Sequence, residues 1–156
     1  MIHYWLMKSE PQEFSIDDLM QAPKQITAWE GVRNYQARNF MRDSMHASDL
    51  VYFYHSNCDL PGIVGIAKIV RESYADPSQF DAKSAYFDAK SNPQQPRWFC
   101  VNVQFVEKFP KVISLSALKN NIQLQDFALI RKGNRLSVLP VSQQHWNLIL
   151  SLSRNE

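Results

Sequence analysis

The most informative stretch of the sequence is TAWEGVRNYQARN at residues 27–39, because an apparent strand is followed there by a helix. Trp29 offers a flat ring on which a heterocycle can stack. Gly31 allows a close approach of the backbone, and Asn34 can both donate and accept hydrogen bonds. A helix N-terminus adds unpaired N–H groups. The junction therefore predicts a binding site for a planar ligand and not a catalytic site.

Length and composition predict one domain over residues 1–156. The chain has 156 residues, 45% of them hydrophobic, which is enough for a proper core. Four glycines and no repeated block argue against a solenoid. The formal charge of +2 excludes a polycation that coats nucleic acid. Any polyanion must therefore bind a local patch, and the two candidates are Arg33, Arg38 and Arg42, and Arg131, Lys132 and Arg135.

The two cysteines, Cys58 and Cys100, form neither a disulfide framework nor a C-x-x-C metal pair, and they suit a reducing compartment. The sequence has no apolar run of membrane length and no leader at its start. We therefore expect a soluble, cytoplasmic protein with no membrane partner.

The hydrophobic pattern predicts a mixed α/β (α+β) fold. Strands are expected at 3–9, 25–29, 49–56, 62–74, 97–109 and 135–139, and helical segments at 15–19, 34–45, 114–121, 124–131 and from 142. Ser15, Asn34 and Ser142 are the expected N-caps. Residues 75–96 contain three prolines and no periodicity, so they form a long loop, whose aromatic residues suggest packing on the body. Five or six strands thus form a curled sheet or barrel with peripheral helices.

Signals of catalysis or metal binding are weak. There is no G-x-S-x-G elbow and no glycine-rich phosphate loop. The four histidines, His3, His46, His55 and His145, are scattered without metal-ligand spacing. We therefore predict no metal, no cofactor and no catalytic residue.

Polar and aromatic residues around the junction have two interpretations each. Lys8, Ser9 and Glu10 are either a polar strand end or a set in which Lys8 balances charge while Ser9 or Glu10 bonds a ligand edge. Trp29 is either a core anchor or a pocket wall. Trp98, in PRWF at 96–99, is equally a second wall or an ordinary sheet residue.

Six motifs together resemble the EVE domain family: KSEP at 8–11, TAWEGVRNYQARN at 27–39, FYHSN at 53–57, PGIVGIA at 61–67, PRWF at 96–99 and RLSVLPV at 135–141. The resemblance spans essentially the whole chain in order. It implies a PUA-like pseudo-barrel, related to the PUA, ASCH and YTH domains, and a role in reading modified bases, particularly modified cytosine in DNA.

YTH readers share a similar layout, a Lys-Ser pair on the first strand and a Trp shortly after. By that analogy Ser9 and Trp29 line the pocket, with Asn34 and the 55–57 strand end nearby and Trp98 as the looser, opposing wall. The full set of predicted ligand-binding residues is Lys8, Ser9, Glu10, Trp29, Arg33, Asn34, His55, Ser56, Asn57 and Trp98.

Three functions are open at this stage. The first is a non-catalytic reader of a modified base in nucleic acid, in which stacking on Trp29 contributes about 1–3 kcal/mol. Ser9, Asn34 and Ser56 would read the edge of that base. The second is a PUA-type RNA-binding accessory protein that uses Arg131, Lys132 and Arg135. The third is an enzyme acting on a nucleotide through His55 or Glu10.

Overall fold

The structure, a computed structural model, describes residues 1–154 and contains one six-stranded sheet. The strands are β1 (Tyr4–Ser9), β2 (Ile26–Ala28), β3 (Leu50–His55), β4 (Gly62–Ala75), β5 (Phe99–Ser114) and β6 (Val138–Val141). Their order across the sheet is β2-β5-β4-β3-β1-β6. Only the pairing of β1 with β3 is parallel, and the others are antiparallel.

The sheet curls but does not close, because β2 and β6 remain as its two edges. The predicted mixed α/β class with a curled, PUA-like sheet is confirmed, but a complete barrel is not formed. Both faces are covered, which explains the nearly continuous apolar runs in the central strands. Along β1, Trp5 and Met7 enter one core while Leu6 enters the other. Tyr52 and Phe53 of β3 divide in the same way.

The helices lie around this sheet. They are α1 (Ile16–Gln21), α2 (Tyr35–Asn39), α3 (Leu115–Asn120) and α4 (Gln143–Arg154). Short 3₁₀ turns occupy Pro23–Gln25, Pro77–Phe80, Ile122–Leu124 and Ala128–Ile130. Each expected N-cap is confirmed: the side chains of Ser15, Asn34 and Ser142 accept from backbone N–H groups of α1, α2 and α4. The Asp18 carboxylate accepts from the Ser15 backbone N–H, which completes a capping box.

Four elements differ from the sequence prediction. The helical segment expected at 124–131 is two separate 3₁₀ turns, Ile122–Leu124 and Ala128–Ile130. The single helix expected at 34–45 is a short α2 followed by a π-helical turn, Phe40–Ser44. The last strand lies at Val138–Val141 and not at 135–139, because its ladder with β1 runs from Val138 opposite Met7 to Val141 opposite Tyr4. The fifth strand continues past Pro110 to Ser114, and a register shift in its ladder with β4 accommodates the missing proline donor. Within residues 1–154, no helix has the length and apolar character needed to cross a membrane.

Candidate functional site

A cleft of about 560 Å³ opens where β1, β2 and β3 end and the chain turns into α2. Six of the ten predicted ligand-binding residues line it: Lys8, Ser9, Glu10, Trp29, Arg33 and Ser56. The register explains the meeting, because Ser9 lies opposite His55 in the parallel pair and the Ser56 amide bonds the Ser9 carbonyl at 3.0 Å. The fold therefore brings the KSEP motif, the Trp29 junction and the end of β3 together.

Trp29 combines both roles that its sequence context left open. The residue is only 8% exposed, and its ring packs edge-on against Phe53 with the ring centroids 5.3 Å apart. Its backbone N–H donates to the Val101 carbonyl at 2.8 Å, which extends the edge of the sheet. The ring therefore has little free face for stacking.

The indole N–H of Trp29 is nevertheless available to a ligand. It bonds no acceptor among residues 1–154, and no fully buried side-chain nitrogen in that part of the chain lacks a partner. The N–H group must therefore be accessible, and the cleft is the cavity that Trp29 lines. A directed donor at the edge of a buried ring is well suited to a ring nitrogen or carbonyl of a planar ligand.

The charges that line the cleft are balanced. Its cations are Lys8, Arg33 and Arg135, and its carboxylates are Glu10, Glu13 and Glu30. Burial lowers the pKa of Lys8, whose Nζ lies 5.8 Å from the Tyr54 ring centroid. Burial, reinforced by the Asp76 carboxylate, raises the pKa of Glu30, while Arg33 opposes the rise. A cavity with balanced charge favours a neutral polar ligand over a free phosphate.

Two small hydroxyls and one fixed carboxylate complete the β1 and β3 side. The Ser9 hydroxyl donates to the Phe14 carbonyl at 2.6 Å, and its lone pairs remain as acceptors. The Glu10 carboxylate accepts from the Asn57 amide at 2.9 Å. Ser56 lies beside them in the lining.

Arg33 ties the junction to the long loop. Its guanidinium bonds the buried Asp76 carboxylate at 3.1 Å, the Ser78 hydroxyl at 3.0 Å and the Tyr86 carbonyl at 2.7 Å. The same Asp76 oxygen accepts from the Gly31 amide at 2.8 Å. Loop residues 76–98 therefore pack on the body, as their aromatic content suggested, and Arg33 acts mainly as an internal brace.

Gly31 shows how closely loop and junction fit. Its φ is +88°, and a Cβ placed there would lie 2.7 Å from the Tyr86 ring carbons Cε2 and Cζ. Only glycine satisfies both the backbone conformation and the contact. Tyr86 thereby becomes a wall of the cleft, with its hydroxyl donating to Glu13 at 3.2 Å.

Four predicted residues lie outside the lining. The Asn34 side chain caps α2 by accepting from Ala37 N at 3.0 Å, and His55 Nε2 accepts from Ile16 N at 3.1 Å. Asn57 holds Glu10 from outside. Trp98 is 6% exposed, stacks on Tyr35 at 4.8 Å and donates its indole N–H to Asp88 at 2.8 Å. Trp98 is not among the residues that line the cleft, whereas Tyr86 is, so the role of Trp98 as an opposing wall stays a prediction that this geometry does not favour.

Several lining residues were absent from the predicted set: Glu13, Phe14, Thr27, Ala28, Glu30, Gly31, Val32, Tyr86, Arg135 and Ser137. Most of them directly follow the KSEP motif or flank Trp29, so widening those two windows would have found them. Tyr86 and Arg135 come from distant loops; Arg135 was predicted only as part of a separate basic patch, and nothing local in the sequence placed Tyr86 at this site. Arg135 thus belongs both to the cleft lining and to the predicted basic cluster with the exposed Arg131 and Lys132.

The histidines are less scattered than their spacing implied. His3 and His46 meet Asp49 at the opposite end of β1, outside the cleft lining. Within the described residues, this is the one group of His, Cys, Asp or Glu side chains close enough to hold a metal ion together.

Comparison with known proteins assigns the family. The model of the EVE domain matches residues 3–152. Thymocyte nuclear protein 1 of Rattus norvegicus is 45% identical over 171 residues, which cover 99% of this chain and 75% of that protein.

Solved structures agree in fold. The human THYN1 protein, in complex with DNA that contains 5-methylcytosine, superposes with a TM-score of 0.94 at 42% identity, and the match covers 99% of both chains. A protein from Pseudomonas syringae superposes with a TM-score of 0.92 at 49% identity, covering 96% of this chain and 99% of that one. An ASCH protein mutant from Zymomonas mobilis, at 10% identity and a TM-score of 0.52, shows a shared fold alone. By its motifs, its sheet and these relatives, the chain belongs to the EVE domain family.

Proposed function

We propose that this protein is a non-catalytic DNA-binding domain that recognises a modified base, namely a modified cytosine, in the cleft beside Trp29. One observation carries the proposal: Trp29, whose indole N–H has no partner among residues 1–154, lines a charge-balanced cleft of about 560 Å³. Sites for small planar ligands typically have volumes of about 300–1,000 Å³. The human relative in complex with 5-methylcytosine DNA supports the choice of base.

The base must leave the duplex before the cleft can reach its edges, as enzymes that work on single bases also require. Inside the cleft, the Trp29 N–H donates to a ring nitrogen or carbonyl. Glu30 is a suitable acceptor for the exocyclic amine of cytosine, a pairing that carboxylates make with this group. Phe14 and Tyr86 supply aromatic surface for the ring and its substituent. Trp29 thus acts through its edge, and stacking is left to these two rings.

Phosphates bind at the rim. Arg135 is an exposed residue of the cleft lining, and Arg131 and Lys132, close to it in the sequence, are exposed cations. This arrangement favours one surface that serves backbone and base together over a separate RNA-binding patch. A methyl group in an apolar slot discriminates by about 10–200-fold, so selectivity is modest and affinity depends on salt.

The two side chains suggested as catalytic groups of an enzyme make hydrogen bonds to other parts of the protein. His55 accepts a bond from the first turn of α1, and Glu10 holds Asn57. His55 lies outside the cleft lining, and the Glu10 carboxylate already accepts a hydrogen bond from Asn57. This favours binding without turnover.

The test is fluorescence anisotropy with labelled oligonucleotides of one sequence, carrying a single cytosine or 5-methylcytosine, as DNA and as RNA. We expect methylated DNA to bind about tenfold more tightly than plain DNA. Lys8→Met should weaken binding, whereas Lys68→Met, which alters an exposed lysine of β4, should not. Equal affinity for all oligonucleotides, unchanged in Lys8→Met, would reject the proposed function.

A further inference from the structure

His3, His46 and Asp49 form a compact group where β1 and β3 begin. His3 precedes β1, while His46 and Asp49 belong to the turn that leads into β3. One ligand atom from each lies within 4.8 Å of the others. Both histidines are exposed, whereas Asp49, which supplies the carboxylate, is buried.

The buried carboxylate of Asp49 has no counter-ion. It is 1% exposed, and no side-chain cation lies within 4 Å of it among residues 1–154. Buried charges in proteins are ordinarily paired or bind a metal ion. Asp49 therefore offers a site of negative charge that the described protein groups do not neutralise.

Three N–H groups hold this carboxylate in place. Oδ1 accepts from the His3 amide at 3.0 Å, and Oδ2 accepts from the Trp5 indole and the His46 amide, both at 3.0 Å. A carboxylate has about four lone-pair positions, so one position stays free. Such second-sphere bonds orient metal-binding carboxylates in known sites.

Only a small adjustment is needed to bind an ion. Ligand atoms around a tetrahedral zinc ion lie about 3.3 Å apart, given bond lengths of about 2.0–2.2 Å. The ligand atoms here lie up to 4.8 Å apart. Because both imidazoles are exposed, rotation of their side chains can close the difference while Asp49 stays fixed.

We propose that His3, His46 and Asp49 bind one divalent transition-metal ion, Zn²⁺ in the first instance, with water as the fourth ligand. Two imidazoles and a carboxylate suit Zn²⁺ and Co²⁺ and disfavour Mg²⁺ and Ca²⁺. The ion joins the segment before β1 to the turn before β3. The cleft lies at the far end of β1, about 20 Å away at 3.3 Å per residue. The ion is therefore structural and independent of base recognition.

The test is Zn²⁺ titration of protein purified without a polyhistidine tag and carrying extra residues ahead of Met1, so that the terminal amine cannot ligate. We expect one equivalent to bind, with a rise in Tm, and Co²⁺ to give the visible absorption of a tetrahedral site. His3→Gln and His46→Gln should each weaken binding by at least about tenfold. Mg²⁺ should not bind.

His145→Gln is the matched control, because His145 also lies beside a carboxylate, that of Asp126, but without a third ligand. It should leave Zn²⁺ affinity unchanged. No saturable Zn²⁺ binding in the wild type, or the same affinity in His46→Gln, would overturn the proposal. Circular dichroism of each variant confirms that a lost site is not a lost fold.

Discussion

Trp29 and Trp98 are almost equally buried, at 8% and 6% exposure, yet their polar groups have opposite fates. The Trp98 indole N–H bonds Asp88, and its backbone N–H and carbonyl both bond the Gln79 side chain. The Trp29 indole N–H has no partner among the described residues, and Trp29 lines the cleft. Burial alone therefore does not separate a structural tryptophan from a recognition tryptophan. The two kinds differ in whether the indole N–H already has a hydrogen-bond partner within the protein.

Both tryptophan regions depend on Arg33. Its guanidinium lies 5.3 Å from the Trp98 ring and binds Asp76, which also holds the Gly31 amide beside Trp29. The polar groups of Trp98 are thus all paired within the protein, whereas the indole N–H of Trp29 at the junction is not. The loop supports the junction through Arg33 and Asp76. Substitutions that cut the connection test this division of roles.

Asp76→Ala should have the largest effect. Asp76 is fully buried, and its removal leaves Arg33, Gly31 and Ser78 without their shared acceptor. Breaking a buried ion pair of this kind costs about 3–5 kcal/mol in the free energy of unfolding. The measurement is urea denaturation. Asp43→Ala, which removes an exposed carboxylate from its pair with Arg42, is the control and should leave the midpoint unchanged. Similar midpoints for both variants would contradict the role of the brace.

Gly31→Ala should have the next largest effect, and Gly133→Ala separates its causes. Both glycines have positive φ, +88° and +85°, so both variants carry backbone strain of about 1–2 kcal/mol. Only at Gly31 does the new methyl group meet the Tyr86 ring, whereas nothing lies within 4 Å at Gly133. We expect Gly31→Ala to lose at least about 1 kcal/mol more stability in thermal or urea unfolding. It should also weaken DNA binding, because Tyr86 must move. Equal losses would show that the loop does not press on the junction.

His55 gives the smallest expected effect, seen as a pH dependence. Burial lowers its pKa from the ordinary value of 6.5, and the nearby Asp17 opposes this. The unfolded chain therefore binds the proton more readily than the folded protein. The stabilisation is present above pH 6.5 and is lost as pH falls through the folded-state pKa.

His55→Gln keeps a side-chain acceptor for the Ile16 amide but does not titrate. The variant should lose less stability than the wild type between pH 7 and pH 5, measured by urea midpoints at about half-unit steps. Parallel curves for the two proteins would contradict a neutral, hydrogen-bonded His55 at the end of β3.

Local chemistry made much of this fold predictable. Ser15, Asn34 and Ser142 have side chains that compete for helix N–H groups, and all three cap helices as expected. The sequence could not show that β5 tolerates Pro110, because that depends on a register shift against β4. Nor could it show where β6 begins, because that depends on its pairing with β1, which starts at Val138 opposite Met7.

The site was predictable only where it is local. Ser9, Glu10 and Trp29 come from motifs rich in polar residues, which are poor core formers, and they line the cleft. Tyr86 was not identifiable, since its place depends on the contact with Gly31 across 55 positions. The meeting of His3 with His46 likewise depends on the parallel pairing of β1 with β3, which spacing in the sequence does not reveal.

The most direct test compares Trp29→Phe with Trp98→Phe in binding to the 5-methylcytosine oligonucleotide. Each variant keeps an aromatic ring and loses one indole N–H. A hydrogen bond contributes about 0.5–1.5 kcal/mol, so Trp29→Phe should weaken binding by about 2–13-fold with little change in stability. Trp98→Phe should instead lower stability, because Asp88 loses its donor, and leave affinity nearly unchanged. If Trp29→Phe binds as the wild type does while Trp98→Phe does not, the roles assigned to the two tryptophans are wrong.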